Sequence, residues 1–314
     1  MQTTSHVLMI RPVRFLSNPE TAASNAFQHR ETDGGAAQRA ALEEFDAYVD
    51  ALCGCGVDVM VVDDTAEPHT PDSIFPNNWL SLHADGKAVL YPMAAPNRRL
   101  ERRADILDAI GSRFRLQQVV DLSAFENDGH FHEGTGVMVF DHTHRVAYVC
   151  RSSRTSPAVM EAVARETGYR PFWFGAADRR GRPIFHTNVM MCVGQTLAVV
   201  CLESVWDAGE RAALVDTLEA GGKRIIDIDY DQLERFAGNA LELRSRDGEP
   251  VFALSRQAWS ALTAKQRELL SSYARIALAP IDTIERLGGG GARCMVAEIF
   301  LPRHVPAATP PDNT

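Results

Sequence analysis

An order of elements, hairpin then helix then strand, returns four times along this chain and limits its possible folds more than any single residue does. Ser73 to Met93 holds two apolar stretches bridged by Ala84-Asp85-Gly86-Lys87, where Asp-Gly marks a hairpin; a helix from about Arg98 to Ile110 and a strand from Gln117 to Leu122 follow. The order returns as a hairpin from Gly136 to Cys150 turning at His142-Thr143-His144, a helix from Pro157 to Thr167 and a strand from Arg170 to Phe174. A third cycle has a hairpin from Val189 to Glu203 around Gly194-Gln195, a helix from Ala208 to Leu218 and a strand from Arg224 to Ile228. The fourth runs through Ala240 to Leu254, a helix from Ala264 to Ala277 and a strand from Ala279 to Ile284. Ahead of them lie a strand at Val7–Ile10, an amphipathic helix at Ala36–Leu52 and a strand at Val57–Val62, and Cys294 is expected to open the strand that closes the series. Recurrence every ~55 to 65 residues marks a repeat architecture, here a ring of mixed α/β units. The order of elements repeats; the residues do not.

Length and charge narrow what such a ring can serve. The chain of 314 residues can bury a large core, and its 45% hydrophobic and 23% charged residues describe an ordinary globular protein. Lys and Arg number 32 against 41 Asp and Glu, a net charge of -9 that disfavours nucleic acid and anionic membrane as partners. No segment approaches the roughly 18 apolar residues of a membrane span, and Met1 to Arg14 lacks the pattern of a secretory signal, so a cytoplasmic protein is expected. The six cysteines form no C-x-x-C pair and lie mostly in apolar runs, which suggests neither zinc nor a disulfide framework.

Polar residues interrupt the rhythm just before the hairpins, where a ring of units converges on its axis. Pro71-Asp72-Ser73-Ile74-Phe75-Pro76-Asn77-Asn78 sets two amides beside an acid, a pattern that turn chemistry alone also produces. His132-Glu133-Gly134-Thr135-Gly136 offers a carboxylate or an exposed turn acid; His186-Thr187-Asn188 offers a base or a satisfied core histidine. Gly288-Gly289-Gly290-Gly291-Ala292-Arg293-Cys294 presents a thiol beyond four glycines, whose backbone can take positive φ and approach a ligand closely. The alternative is a flexible loop before a structural cysteine. A cationic neighbour and a nest of backbone N–H groups would favour the thiolate. Cysteine, histidine and glutamate at the mouths of different units make up the set used in nucleophilic catalysis.

These four segments resemble the guanidine-modifying, or pentein, superfamily of arginine deiminases, dimethylarginine dimethylaminohydrolases and amidinotransferases. GGGGARCM is similar to the deiminase nucleophile loop, PDSIFPNN to the dimethylarginine hydrolase substrate segment, HEGTG to the superfamily's acid motif and HTN to its His-x-Asp motif. The resemblance runs from about Ile10 to Leu301 and is nearest to bacterial citrulline-utilisation hydrolases. It implies an α/β fold, a five-bladed α/β-propeller of hairpin-helix-strand units, as a single catalytic domain over residues 1–304 with a disordered tail at 305–314.

By the same resemblance Cys294 is the nucleophile, His186 the general acid/base and Glu133 the orienting acid. Relatives that bind a guanidinium place carboxylates where this chain has Asn77, Asn78 and Asn188. A buried cation among neutral amides is left uncompensated, whereas a neutral ureido group both donates and accepts, as amides do. Arg98 and Arg154 match the arginines that hold a substrate α-carboxylate, and Asp72 the group that meets its α-ammonium; Arg102 and Arg103 are read as a solvated helix face. The implied activity is hydrolysis of citrulline to ornithine, carbon dioxide and ammonia, with no cofactor, an amino acid as partner and a possible homo-oligomer. The alternatives are a guanidine hydrolase, an amidinotransferase or an amino-acid-binding protein without catalysis.

Overall fold

The computed structural model describes residues 1–21, 27–29 and 34–304, and the tail expected from residue 305 lies outside them. Among the described residues fifteen strands form five sheets of three. They are β1 (His6–Arg11), β2 (Asp58–Asp63), β3 (Leu80–Leu82), β4 (Lys87–Leu90), β5 (Gln118–Asp121), β6 (Met138–Asp141), β7 (Val146–Cys150) and β8 (Arg170–Phe174), then β9 (Met191–Val193), β10 (Leu197–Val200), β11 (Arg224–Asp227), β12 (Leu241–Arg244), β13 (Pro250–Ser255), β14 (Arg275–Ala279) and β15 (Ala297–Glu298). The sheets are ordered β15-β1-β2, β3-β4-β5, β6-β7-β8, β9-β10-β11 and β12-β13-β14.

Each sheet obeys one rule. An inner strand runs antiparallel to the middle strand, and the middle strand runs parallel to the outer one, for example Leu80↔Leu90 and then Leu90↔Asp121. Four of the antiparallel pairs are hairpins in sequence, while each parallel pair needs a crossover, which explains why a helix separates every middle strand from its outer strand. The first sheet is closed by the two ends of the chain, since β1 pairs with β15 through Val7↔Glu298. Inner strands meet their neighbours around an axis: β15 touches β3, β6 touches β9, and β9 touches β12. Arg244 N donating to Thr4 O at 3.1 Å joins the fifth sheet to the first.

The Gly34–Gly54 helix shows how packing positions the site. Ala41, Phe45, Tyr48 and Leu52 recur at helical spacing and are fully buried against Val7, Met9, Ile284, Leu287 and Cys294. Phe45→Ala would cost roughly 3–5 kcal/mol. Glu44 on the same helix accepts from Thr283 N at 2.9 Å and Ile284 N at 3.0 Å, satisfying the first turn of the Asp282–Gly288 helix that leads into the glycine run. Tyr48 Oη donates to Ala292 O at 3.3 Å from behind the nucleophile turn.

Several sequence expectations are corrected. The helix expected from Arg98 is a 3-10 turn at Pro96–Glu101 followed by a separate helix at Ala104–Arg113, because Arg98 is drawn inward to Glu101 rather than outward to water. Arg102 and Arg103 are not a solvated face: Arg102 pairs with Glu126 at 2.6 Å and Arg103 with Asp64 at 3.3 Å. The fourth-cycle helix stops at Tyr273; Arg275–Ala279 is the outer strand, held in parallel register with β13, and Asp282–Gly288 is helical. Cys294 lies in a turn ahead of β15 and does not open it, since Cys294 N closes a turn onto Gly291 O at 3.0 Å.

Candidate active site

Every inner strand is entered through a turn, and the turns gather at one end of the ring. A 3-10 turn at Pro76–Asn78 leads to β3, a short helix at Gly134–Val137 to β6, another at Thr187–Met190 to β9, Gly238-Asn239 to β12 and the turn holding Cys294 to β15. The turns pack so closely that side chains are excluded where they cross. Gly134 has φ +49, and a Cβ there would lie 2.5 Å from Asn77 O and 2.8 Å from Asn78 O. Of the glycine run, Gly289 alone takes positive φ (+66), as the left-handed cap of the Asp282–Gly288 helix. Its neighbours Gly288 and Gly290 make room for the Phe75 ring, which a Cβ on either would approach within 3.0 Å.

A cavity of about 490 Å³ opens among these turns, within the roughly 300–1,000 Å³ usual for small-molecule sites. Cys294, His186, Glu133, Asn78, Arg98, Arg154 and Asp72 line it. Asn188 lies directly behind the thiol, its Nδ2 donating to Cys294 Sγ at 3.5 Å. Asn77 is not on the cavity wall; it is fully buried, and its amide has no hydrogen-bond partner among the described residues. The two adjacent amides diverge because Asn78 is turned toward Arg98.

Glu133 is the electrostatic centre. It is fully buried and accepts from His186 Nε2 at 2.7 Å on one oxygen and from Arg154 Nη1 at 2.6 Å on the other, with Ala94 N at 3.2 Å. Burial pushes its carboxyl up, but Arg154 and His186 outweigh this and hold it well below the usual carboxylate range. An ionised carboxylate only accepts, so His186 Nε2 carries hydrogen and Nδ1 is the nitrogen left for proton transfer.

Arg98 is held as firmly. Its Nε and Nη2 fork onto Glu101 at 2.8 and 3.0 Å, and Nη1 donates to Asn78 Oδ1 at 3.0 Å. That bond fixes the Asn78 amide: the oxygen is engaged, and the nitrogen, tied by a long 3.5 Å contact to Glu133 O, is the end that can offer a hydrogen to a ligand. Asp72 accepts from Asn18 Nδ2 at 2.7 Å through Oδ2, while its buried Oδ1 has no partner among the described residues. A buried carboxylate oxygen facing a cavity suits an ammonium.

The nucleophile turn departs from expectation. Arg293 does not reach the sulfur; its guanidinium donates to Val296 O at 2.8 Å and Glu298 Oε2 at 2.9 Å. Burial pushes the Cys294 thiol up, and Asn239, Arg293, Gly291 and Asn188 pull it back without offsetting that rise. Asn239 was missed from sequence: its Nδ2 lies 3.2 Å from Cys294 Sγ and 2.9 Å from Asn188 O. The signal was positional, because Phe236-Ala237-Gly238-Asn239 precedes the fourth hairpin as the other site segments precede theirs. Among the described residues no three metal-ligating side chains converge.

Comparisons with known proteins agree on the fold. No curated protein sequence matches the chain. The N-terminal domain of ArgZ, an Asn→Ser variant covalently bound to a reaction intermediate, superposes with a TM-score of 0.72 at 15% identity, covering 95% of this chain and 98% of that one. ArgZ is an arginine dihydrolase of the ornithine-ammonia cycle in cyanobacteria, and this chain spans 41% of its intact form. AgrE in complex with ornithine and NAD+ gives a TM-score of 0.73 at 17% identity, covering 95% of this chain and 40% of that one. A Cys→Ser variant of DDAH from Pseudomonas aeruginosa complexed with citrulline gives 0.65 at 17% identity, covering 95% and 100%. A family profile described as N,N dimethylarginine dimethylhydrolase, eukaryotic, matches residues 11–301. Matched over nearly its whole length, and built of the five small sheets of that fold, the chain belongs to this family of the pentein superfamily.

Proposed function

We propose that the protein hydrolyses the ureido group of citrulline to ornithine, carbon dioxide and ammonia through a covalent Cys294 intermediate. The observation that carries this reading is the Asn78 amide, whose oxygen is occupied by Arg98 and whose nitrogen remains to donate. A ureido oxygen accepts such a hydrogen, whereas a guanidinium presents N–H groups alone. The charge at this end is also spent internally, with Glu133 paired to Arg154 and His186, so among the described residues a buried cation finds no unpaired carboxylate beside the thiol.

The chemistry follows from the arrangement. The Cys294 proton passes to His186 Nδ1 as sulfur adds to the ureido carbon, and the imidazolium, held by Glu133, returns that proton to the departing nitrogen. His186 next takes a proton from water as the hydroxide adds to the S-carbonyl carbon. The C–S bond breaks, the thiol is regenerated, and the released carbamic acid splits to amine and carbon dioxide. Asp72, whose Oδ1 has no partner among the described residues, receives the α-ammonium, and Arg154 faces the α-carboxylate while its Nη1 stays on Glu133; Arg98, committed to Glu101 and Asn78, orients Asn78 instead.

Family membership and the likeness to an arginine dihydrolase favour a second reading, in which a guanidino group is the substrate. Incubating the purified protein with citrulline, arginine and N,N-dimethylarginine, and measuring ornithine, ammonia and dimethylamine, separates the two. Citrulline is expected to be consumed fastest; faster turnover of either guanidino compound overturns the first reading in favour of the second.

A further inference from the structure

Cys294 is closely packed, but few polar groups among the described residues reach its sulfur. The preceding glycines carry no side chains, Arg293 is committed to Glu298 and Val296 O, and the Asn188 amide approaches at 3.5 Å through nitrogen and 3.9 Å through oxygen. The shortest hydrogen bond to the sulfur among the described residues comes from the fourth hairpin mouth, where Asn239 Nδ2 lies at 3.2 Å. The same side chain makes two further bonds. Asn239 Oδ1 accepts from Arg293 N at 3.1 Å, fixing the residue before the nucleophile, and Nδ2 donates to Asn188 O at 2.9 Å, fixing the turn that carries His186. Asn239 is fully buried, and both ends of its amide are used, so the amide cannot be reversed without losing all three contacts.

We propose that Asn239 belongs to the catalytic apparatus: its side-chain amide donates to the Cys294 sulfur and holds it, as thiolate, in register for attack. This rests on the reading of Cys294 as the nucleophile, but not on which substrate it attacks. Structure alone would be served by any residue that fills the space. What distinguishes the amide is its polarity, a donor aimed at sulfur and an acceptor aimed at a main-chain N–H. The isosteric carboxylate keeps the acceptor and reverses the donor, placing a negative charge against the developing thiolate.

The test reads the thiol directly. Wild type, Asn239→Asp and Asn239→Ala are alkylated with iodoacetamide from pH 6 to 11, and mass spectrometry follows the Cys294 peptide, with exposed Cys53 as the internal rate control. At pH 7.5 Asn239→Asp is expected to slow Cys294 alkylation by more than tenfold and Asn239→Ala by a few-fold, both recovering at high pH while Cys53 is unchanged. Superimposable pH profiles for Cys294 in wild type and both variants would overturn the proposal. If Asn239→Asp does not give folded protein, Asn239→Ala with Asn239→Ser carries the same comparison, and equal profiles there count equally against it. Failure of citrulline turnover in wild type, with the alkylation shift present, would remove the substrate assignment and leave the role of Asn239 standing.

Discussion

Replacing Asn78 by aspartate tests whether the site reads the charge of its substrate. Asn78 is 2% exposed, its oxygen sits 3.0 Å from Arg98 Nη1, and its nitrogen is the donor we assign to the ureido oxygen. Asn78→Asp keeps the bond to Arg98 and removes the donor, so a bound ureido oxygen faces an acceptor. An unpaired buried acceptor costs about 1–3 kcal/mol. At about 1.4 kcal/mol per tenfold, citrulline should bind roughly 5- to 140-fold more weakly. Arginine should gain. Arg98 already faces Glu101 at 2.8 Å and Asp72 at 3.7 Å, and a third carboxylate leaves this corner with excess negative charge that a guanidinium can offset. Because turnover depends on positioning as well as affinity, the assay is titration calorimetry of both ligands on a Cys294→Ser background. A citrulline affinity within threefold of the Asn78 parent, or no tightening of arginine, refutes the assignment of Asn78 as the charge-reading donor.

Cys294→Ser should abolish turnover while the melting temperature stays near that of wild type, and activity within tenfold of wild type would exclude Cys294 as nucleophile. A thiol reagent should label Cys294, which lines the cavity, before Cys150, Cys192 and Cys201, whose thiols burial pushes up to about 12; even labelling of the four by mass spectrometry contradicts this. Glu133→Gln keeps an acceptor for His186 Nε2 but loses the charge that stabilises the imidazolium, and kcat should fall by about 10²- to 10⁴-fold, measured by ornithine release at saturating citrulline. Glu285, buried with no partner for Oε1 among the described residues, is pushed up by burial to about 8, against about 4.3 for an unfolded glutamate. A carboxyl raised in the folded state leaves stability highest below the unfolded value and lowers it as pH climbs toward 8. Glu285→Gln should therefore match wild type at pH 5 and melt several degrees higher at pH 8.5, about 2–4 kcal/mol of relief; equal melting curves at pH 8.5 refute it.

How much of this was legible in the sequence depended on whether local chemistry or distant packing decides each feature. The Pro157–Thr167 helix and the Arg170–Phe174 strand were read at their true bounds because Pro157 starts the helix and Gly168, at φ +73, ends it. Arg275-Ile276-Ala277 was absorbed into the helix because alanine suits one, and the strand was set at Ala279 to Ile284, yet pairing with β13 makes Arg275–Ala279 the strand, a decision taken by residues far away in sequence. Asn77 and Asn78 look alike on paper, and only the position of Arg98 separates the one on the cavity from the one beneath it. Arg293 was credited with activating the thiol by adjacency in sequence; Glu298, on the strand that follows, takes its guanidinium instead. Asn239 has no motif of its own and became visible once its place before a hairpin was seen to match that of Glu133 and Asn188.

The nature of the substrate and the use of amides around the sulfur are two sides of one requirement. A cationic guanidinium arriving beside a buried thiol would itself favour ionisation, since an opposite charge within a few ångströms stabilises the thiolate. A neutral ureido group brings no such help. The protein must then supply from its own groups what the substrate does not, against a burial that pushes the Cys294 thiol up. Carboxylates in these positions would oppose the thiolate, and lysine or arginine would repel the α-ammonium end and compete for Glu133. Amides escape both faults: Asn188 and Asn239 donate to the sulfur without adding net charge, and Asn78, on the cavity wall, is the donor we assign to the substrate from the same ring of turns. On the proposed citrulline reading, three neutral donors from three different units make a site in which a thiolate and a neutral carbonyl can be held together, and the asparagines, more than the cysteine or histidine, would set what it accepts.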